Sequence, residues 1–170
     1  MEAFLNWDAR TSRRLRVAEK PGILRTLAVV LAHSGDSWFW LLGLALAWWP
    51  LAAWRGCLAV MAVSVVVTAA LVLALKFTFR RRRPEGEWGA IYRSTDPHSF
   101  PSGHAARAVL LAVVAWGLCP GWVAVVLTVW APLVALARVA MGVHYLSDVL
   151  AGALVGLVMG WAALALVSLV

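Results

Sequence analysis

The chain has 170 residues, of which 63% are hydrophobic and 14% are charged, and its formal net charge at pH 7 is +7. Soluble globular domains contain about 45–50% apolar residues, so this composition excludes a soluble domain. The length suffices for one compact bundle and little else. We therefore expect a single membrane-embedded domain over residues 1–170.

Residues 1–35 form a basic amphipathic segment. Its arginine and lysine residues alternate with apolar ones such as Trp7 and Leu15, which suits a helix lying on an anionic membrane surface. The apolar stretch 23–32 is too short to cross a bilayer alone. We expect an N-terminal interfacial helix. The alternative is a sixth span, in which this stretch joins the next apolar run and places the polar residues 33–36 inside it.

Five apolar runs follow, and each predicts a transmembrane helix. They occupy residues 37–54, residues 56–75, a run ending near Leu118, a run beginning near Trp122, and residues 149–170. The second and the last contain 20 and 22 residues without a charge, enough to cross a hydrocarbon core of about 30 Å. Pro120 and Gly121 favour a tight turn between the third and the fourth. The predicted fold is all-α, an integral-membrane bundle of about five transmembrane helices with an amphipathic helix at its N-terminus.

The two cysteines, Cys57 and Cys119, lie within or beside apolar segments. We interpret them as small buried hydrophobic side chains rather than as a disulfide or a metal-binding pair. No Cys/His spacing indicates a zinc site, and no acidic cluster indicates a two-metal centre. No metal and no other cofactor is expected.

The distribution of positive charge predicts which end of the bundle faces the cytoplasm. If the N-terminal segment does not cross, then residues 1–35, the loop 80–100 and the turn 138–148 lie on one side. Of the 15 lysine and arginine residues, only Arg55 lies on the other side. Positive residues near span ends favour the cytoplasm. We expect a multi-pass protein of the cell membrane, in bacteria the inner membrane, with these loops on the cytoplasmic face.

The turn 138–148 contains side chains that suit covalent chemistry. His144 and Asp148 are four residues apart and share one face of a helix, so the carboxylate can fix the tautomer of the imidazole and leave the other ring nitrogen free. That pairing makes a histidine an effective nucleophile towards phosphorus. Gly142 permits a bend that brings Arg138 towards the same point. An isolated pair could equally satisfy itself within a bundle, but ionisable residues at membrane depth usually have a function.

Pro101, Ser102, Gly103 and His104 open the third span. Ser102 suits the N-cap of that helix, and Gly103 lets backbone N–H groups approach an anion closely. His104 would lie in the first turn, placed to give a proton to a leaving oxygen. Taken alone, the stretch could also be an ordinary helix start.

Lys76 ends the second span, and Arg83 precedes Pro84. Arginine offers a planar fork of donors that matches phosphate, and lysine contributes a compact charge. Both residues therefore suit an anion site. The arginines 80–82 between them are expected to form a basic stop at the cytoplasmic headgroups.

Together, the three stretches resemble the signature of the type 2 phosphatidic acid phosphatase superfamily, which includes membrane lipid phosphatases, polyprenyl diphosphate phosphatases, glucose-6-phosphatase and the soluble vanadium haloperoxidases. The resemblance covers residues 76–148. It consists of Lys76 with six residues before Arg83-Pro84, then Pro101-Ser102-Gly103-His104, then Arg138 with five residues before His144 and three more before Asp148. One position departs, because many members have serine before the third-motif arginine where this chain has Ala137. The change removes a supporting hydrogen bond and leaves the reactive groups in place.

The resemblance implies a role for each matched residue. His144 would attack phosphorus and become phosphohistidine while Asp148 holds its ring. His104 would protonate the leaving group and then help to activate water. The other matched residues would bind the phosphate and neutralise its charge; they are Lys76, Arg83, Ser102, Gly103 and Arg138. The implied fold is an all-helical bundle with its pocket at one end of the spans, and no metal is required.

Three glycines of the last span, Gly152, Gly156 and Gly160, recur at every fourth residue and allow close helix contact. Packing within the bundle is the favoured interpretation, and a homo-oligomer seam is the alternative. Arg107, one turn past His104, could reach the phosphate or a substrate headgroup.

The sequence therefore predicts a membrane phosphatase that acts on a lipid phosphate or diphosphate, among membrane lipids and without a nucleic-acid partner. The substrates left open are polyprenyl phosphates or diphosphates, polyprenyl-phosphosugars, phosphatidic acid and phosphatidylglycerol phosphate. A cytoplasmic site favours a biosynthetic intermediate over a recycled carrier. The alternative is a non-catalytic protein that binds or transports a lipid phosphate, but binding alone would need cations and not a histidine with an orienting carboxylate.

Overall fold

The computed structural model describes residues 2–169, with side chains described for all of them except residues 93–95. This part of the chain forms eight α-helices and contains no β-strand. In chain order the helices are α1 (Glu2–Arg14), α2 (Ile23–Ser34), α3 (Ser37–Ala47), α4 (Arg55–Phe79), α5 (Glu87–Thr95), α6 (Gly103–Leu118), α7 (Gly121–Ala140) and α8 (Leu146–Val167), with a 3-10 turn at Ala52–Trp54 before α4. The predicted all-α class is confirmed.

Helix α6 lies at the centre of the bundle and packs against α4, α7 and α8. Its buried face is built largely from alanine and leucine, and small side chains let neighbouring helices come close. On α8, Gly152, Gly156 and Gly160 face α6, and a Cβ atom at any of the three would clash with it. The glycines thus pack within the chain, and α6 already occupies the surface that a homo-oligomer seam through them would need.

Three helices are long and apolar enough to cross a membrane, namely α4 with its preceding 3-10 turn, α7 and α8. Helix α6 is a shorter apolar helix of 16 residues. Helices α2 and α3 meet the same criterion only as a pair, and they are bent by 59° at the break between them. The structure retains the predicted helical membrane bundle, but its first apolar segment is broken into two helices, which form a bent crossing or a re-entrant pair.

The broken crossing differs in detail from the sequence expectation. The apolar run 37–54 is not one helix, because α3 ends at Ala47 after 11 residues and a 3-10 turn follows at Ala52–Trp54. Pro50 accounts for the stop, since proline lacks an N–H group and disfavours a helical conformation in the residue before it. Helix α2 packs against α7 and pairs with α3, so the expected interfacial helix corresponds to α1 alone.

Helix α1 is amphipathic as predicted, but its inner face reaches the end of α8. Phe4 and Trp7 are exposed on its outer side, whereas Asp8 and Ser12 are fully buried. Both buried side chains accept hydrogen bonds from backbone N–H groups at the start of α8. The segment expected on the membrane surface therefore also closes one end of the bundle.

Cys57 and Cys119 form a disulfide, with their Cα atoms 5.8 Å apart, so the prediction of two separate buried thiols is wrong. Cys57 lies in the first turn of α4, and Cys119 directly follows α6. These two helices pack side by side and run in opposite directions, which brings both positions to one end of the bundle. A separation of 62 residues hides this proximity in the sequence.

We expect protein purified without reductant to contain no free thiol. Cys57 and Cys119 should resist a maleimide until they are reduced under denaturing conditions, which intact mass spectrometry measures. The variant Cys57→Ser/Cys119→Ser should melt at a lower temperature in detergent, because the cross-link restricts the unfolded chain by about 4 kcal/mol on a loop-entropy basis. Labelling of both cysteines before reduction would contradict the disulfide.

Candidate active site

The three sequence motifs meet at the end of the bundle opposite the disulfide. Lys76 lies in the last turn of α4 and Arg138 in the last turn of α7, whereas His104 and Asp148 lie in the first turns of α6 and α8. Helices that run towards this end thus alternate with helices that leave it. Because of this alternation, side chains far apart in the sequence converge, as predicted.

His144 lies in the turn between α7 and α8, where Gly142 has a φ of +71°. Its Nδ1 is 3.6 Å from Asp148 Oδ2, just beyond hydrogen-bond length, and its Nε2 is 3.3 Å from Arg83 Nη1. Arginine can only donate, so this contact requires an unprotonated Nε2 and places the ring proton on Nδ1, facing Asp148. The structure places His144 beside Asp148, as the spacing predicts, with Nδ1 facing the carboxylate and Nε2 facing Arg83.

The ring of His144 is buried and surrounded by positive charge. Burial lowers the pKa of His144 well below its ordinary value, and the charges of Arg83, Arg138 and Lys76 lower it further. The imidazole is therefore neutral at physiological pH, which is the form with a free lone pair.

Asp148 is held by two donors besides its contact with His144. The backbone N–H of Tyr145 donates to its Oδ2 over 2.9 Å, and Arg81 Nη1 donates to its Oδ1 over 2.7 Å. Arg81 also stacks on the ring of Tyr145, 4.0 Å from the centroid. Arg81 was expected to belong to a basic stop at the headgroups; it is instead turned inward and fixes the carboxylate that faces His144.

Asp8, which the sequence analysis missed, holds the other side of Arg81. Its Oδ2 accepts from Arg81 Nη2 over 2.7 Å, and its Oδ1 accepts from the backbone N–H of Ser147 over 3.0 Å. Ser12, one turn later on α1, accepts from the backbone N–H of Leu146 over 2.8 Å. Helix α1 therefore satisfies N–H groups that the first turn of α8 leaves open. The only sequence signal was a carboxylate, with a serine four residues on, in a mostly basic segment.

Lys76 and Arg83 converge on a second carboxylate outside the motifs, that of Asp96 at the end of α5. Lys76 Nζ and Arg83 Nη2 both donate to Asp96 Oδ2, the latter over 2.8 Å, and Arg83 Nε donates to the Asp96 carbonyl over 2.6 Å. Burial raises the pKa of Asp96, but the hydrogen bond and charge of Lys76 and the charge of Arg83 outweigh it, so the net shift is downward. An ionised oxygen thus lies where two predicted phosphate-binding side chains meet.

Two predicted phosphate-binding groups retain unused hydrogen-bonding capacity. Ser102 is buried at the N-cap position of α6, where its N–H donates to the Asp148 carbonyl over 2.9 Å. Its hydroxyl has no partner among the described residues. Arg138 donates from Nη1 to the Tyr92 hydroxyl over 3.1 Å, while its buried Nε has no partner in the same part of the chain. Gly103 follows Ser102 at the start of α6, as predicted.

His104 has its own carboxylate partner, Asp36, at the bend between α2 and α3. His104 Nε2 is 2.7 Å from Asp36 Oδ1, and the second oxygen of Asp36 is 3.0 Å from His33 Nδ1. Arg107 donates to the Gly35 carbonyl at the same bend. This contact links α6 to the bend between α2 and α3, and the reach of Arg107 to a phosphate or headgroup stays a prediction.

Both histidines lie at the motif end of the bundle, His144 before the start of α8 and His104 in the first turn of α6. The arrangement supplies a neutral imidazole, a second imidazole with its own carboxylate, and cations for an anion. Within the described residues, no three His, Cys, Asp or Glu side chains are grouped so as to hold a metal ion.

Two solved structures share this architecture. One is the crystal structure of a transmembrane PAP2 type phosphatidylglycerolphosphate phosphatase from Bacillus subtilis, with a TM-score of 0.82 and 24% identity over 100% of this chain and 89% of that one. The other is Aquifex aeolicus LpxE, with a TM-score of 0.71 and 24% identity over 90% of this chain and 93% of that one. At this level of identity the likeness establishes the fold.

Sequence comparison adds closer relatives and a family. The decaprenylphosphoryl-5-phosphoribose phosphatase of Mycobacterium tuberculosis is 33% identical over 85% of this chain and 80% of its own length. The lipid A 1-phosphatase of Porphyromonas gingivalis is 32% identical over 64% of this chain, which spans only 23% of that protein. Residues 57–169 match the family model of the PAP2 superfamily. Since that match includes all three motifs, the chain belongs to the PAP2 superfamily.

Proposed function

We propose that the protein is an integral-membrane phosphatase that hydrolyses a lipid-linked phosphate through a phosphohistidine on His144. One observation carries the proposal: a buried neutral imidazole has a carboxylate beside Nδ1 and an arginine beside Nε2. A site that only binds phosphate needs the arginine but not the pairing of histidine with Asp148. The named phosphatases among the relatives support the same reaction class.

In the first step, the Nε2 lone pair of His144 attacks phosphorus, and the bond from phosphorus to the lipid oxygen breaks. Asp148 stabilises the positive charge that develops on the ring, as a carboxylate beside a catalytic imidazole does. His104 starts this step as an imidazolium, with one N–H directed at Asp36, and gives its other ring proton to the departing oxygen, so that an alcohol leaves rather than an alkoxide. With Nε2 of His104 directed at Asp36, its Nδ1 is the nitrogen that faces the leaving group.

In the second step, water attacks the phosphohistidine. His104 is neutral after the first step and takes a proton from this water, so the nitrogen–phosphorus bond breaks and inorganic phosphate is released. Both histidines return to their starting protonation states. One imidazole thus serves first as acid and then as base, as microscopic reversibility requires of a two-step hydrolysis.

The cations stabilise charge on the phosphoryl oxygens throughout. Lys76, Arg83 and Arg138 supply fixed positive charge in a buried site, where electrostatic stabilisation of a phosphoryl transition state is strongest. The Asp96 oxygen that now accepts from Lys76 and Arg83 marks the position that a phosphate oxygen takes. Substrate binding then requires Asp96 to withdraw or to share these donors.

Among the candidate substrates, a polyprenyl-phosphosugar phosphate has the best support. The Mycobacterium tuberculosis enzyme that dephosphorylates decaprenylphosphoryl-5-phosphoribose matches this chain over most of both lengths. Phosphatidylglycerol phosphate is the second choice, since the Bacillus subtilis phosphatase of that name shares the fold. Both are amphiphiles that end in a phosphate monoester, which suits a site at the end of a membrane bundle.

We also propose that the active site faces the cytoplasm. The motif end carries the positive loops, which favour that side. The disulfide lies at the opposite end, and disulfides persist in oxidising compartments outside the cytoplasm. The two arguments are independent and agree.

His144→Ala should abolish turnover while the protein still inserts and purifies, because covalent catalysis has no substitute for its nucleophile. Asp148→Asn should retain more activity, since the ring remains but loses its orienting charge. Phosphate release from a short-chain lipid phosphate in detergent and excess chelator measures both variants. Substantial turnover by folded His144→Ala protein would remove the central claim, and activity that returned only with a divalent ion would indicate a metal mechanism.

Asp8→Asn should lower kcat about tenfold with little change in KM, because it loosens Arg81 and thereby the carboxylate that orients His144. Ser12→Ala is the matched control: it loosens the same helix from α8 but leaves the contact between Asp8 and Arg81 intact, so its kcat should change much less. In an Arg81→Gln background the Asp8→Asn effect should vanish. The opposite result would be equal losses of kcat for Asp8→Asn and Ser12→Ala, with the Asp8→Asn loss adding to that of Arg81→Gln. Helix α1 would then only stabilise the fold.

Orientation can be read by cysteine labelling in a Cys57→Ala/Cys119→Ala background. Lys20→Cys, in the exposed turn after α1, should resist an impermeant thiol reagent in intact cells. Ala53→Cys, exposed at the disulfide end, should react. Both should react in permeabilised cells, and the reverse pattern in intact cells would place the active site outside the cytoplasm.

A further inference from the structure

A cavity of about 940 Å³ opens beside the active site at the motif end of the bundle. Arg80, Arg82 and Arg83 line it together with His98, and one acidic residue, Glu85, lies on its wall. Its volume is at the upper end of the range for small-molecule sites, about 300–1,000 Å³. A single phosphate would fill only a small part of it.

Two of these arginines have no carboxylate partner among the described residues, although Arg80 Nε donates to the Phe77 carbonyl over 2.9 Å. Arg81 and Arg83 are paired with Asp8, Asp148 or Asp96, whereas no described carboxylate pairs with Arg80 or Arg82. The segment is nevertheless held in place, because Arg82 forms a β-bridge with His98 and the Ser99 N–H donates to the Arg81 carbonyl over 2.8 Å. The loop therefore presents two unpaired cations from a fixed backbone.

Arg83 connects this cavity to the site of chemistry. It lines the cavity, and its Nη1 lies 3.3 Å from Nε2 of His144. Arg83 is thus shared by the cavity and the nucleophile, so a ligand in the cavity lies next to the side chain that contacts His144.

Two exposed aromatic side chains lie beside the residues of the cavity. Phe77 and Phe79, at the end of α4, are 54% and 59% exposed, and aromatic side chains at the end of a membrane span suit the interface. The Phe77 ring packs edge-on to His98, with 5.6 Å between centroids, and Phe79 packs in the same manner on Phe100 at 5.1 Å. Arg80 and Arg82 therefore lie beside aromatic side chains that suit the membrane interface.

We propose that Arg80 and Arg82 bind a phosphodiester that lies between the lipid chain and the scissile monophosphate of the substrate. The planar donor fork of arginine matches a phosphodiester oxygen pair. The inference rests on the proposed phosphatase function and narrows its substrate to lipids with a phosphorylated headgroup joined through a phosphodiester. A lipid whose only phosphate is the scissile one leaves these two cations unused.

A competing role for Arg80 and Arg82 is attachment to anionic membrane headgroups. That role would change the concentration of enzyme at a charged surface and would affect all substrates alike. Neutral detergent micelles remove it, because they carry no surface charge. The two roles therefore separate in a comparison of substrates at constant micelle composition.

The test compares phosphatidylglycerol phosphate with phosphatidic acid of the same acyl chains in neutral micelles. The variant Arg80→Gln/Arg82→Gln should raise KM for phosphatidylglycerol phosphate roughly tenfold or more, because each lost contact is a charge-assisted hydrogen bond. KM for phosphatidic acid should stay within about twofold of the unmodified protein. Arg13→Gln/Arg14→Gln, which removes two exposed charges from the end of α1, is the matched control and should leave both KM values unchanged.

Equilibrium binding to His144→Ala protein gives a readout that is independent of turnover. The Arg80→Gln/Arg82→Gln change made in that background should weaken binding of phosphatidylglycerol phosphate and not of phosphatidic acid. Equal weakening of both lipids, or no weakening, would overturn the phosphodiester site even if the enzyme cleaves them. Selective weakening without cleavage of either lipid by the unmodified protein would instead sink the phosphatase proposal and leave the binding site standing.

Discussion

The architecture of the motif end follows from one constraint, which is that positive charges buried in an apolar bundle need counter-charges. An unpaired buried ion costs several kcal/mol, and the cations buried at this end are Lys76, Arg83, Arg107 and Arg138. Carboxylates from four different segments lie among them and beside Arg81; they are Asp8 on α1, Asp36 at the bend after α2, Asp96 after α5 and Asp148 on α8. Segments that lie outside the three motifs therefore contribute side chains to this end of the bundle.

The carboxylates leave some donors of the motif end without a partner, which suits a phosphate ligand. Asp96 shares one oxygen between Lys76 and Arg83, while the Arg138 Nε and the Ser102 hydroxyl lack partners among the described residues. A phosphoryl group brings several acceptor oxygens, so it can take the donors that a single carboxylate oxygen cannot satisfy. Asp96 thus acts as an internal anion for the donors that the proposed phosphate would take.

The sequence predicts that the motif side chains converge, but it does not predict the carboxylates that pair with their cations. The spacing from His144 to Asp148 and the positions of Lys76 and Arg138 at span ends are local patterns, so they predict convergence once the helices alternate in direction. Asp8 and Asp96 are single carboxylates in polar segments, and nothing in their spacing marks a partner more than ten residues away. The pairing of Cys57 with Cys119 likewise depends on which helices are neighbours, and hydropathy does not reveal that order.

The two histidines illustrate why the supporting residues matter to the chemistry. His144 receives its carboxylate from the first turn of the helix that follows it, so the pair is set by four residues of local structure. His104 receives its carboxylate from Asp36, in a segment 68 residues away, and Arg107 closes onto the Gly35 carbonyl beside it. The bend of 59° between α2 and α3 is thus fixed by the first turns of α6. One straight helix would carry Asp36 in its interior and would lose this contact. The break between α2 and α3 is therefore what places Asp36 beside His104.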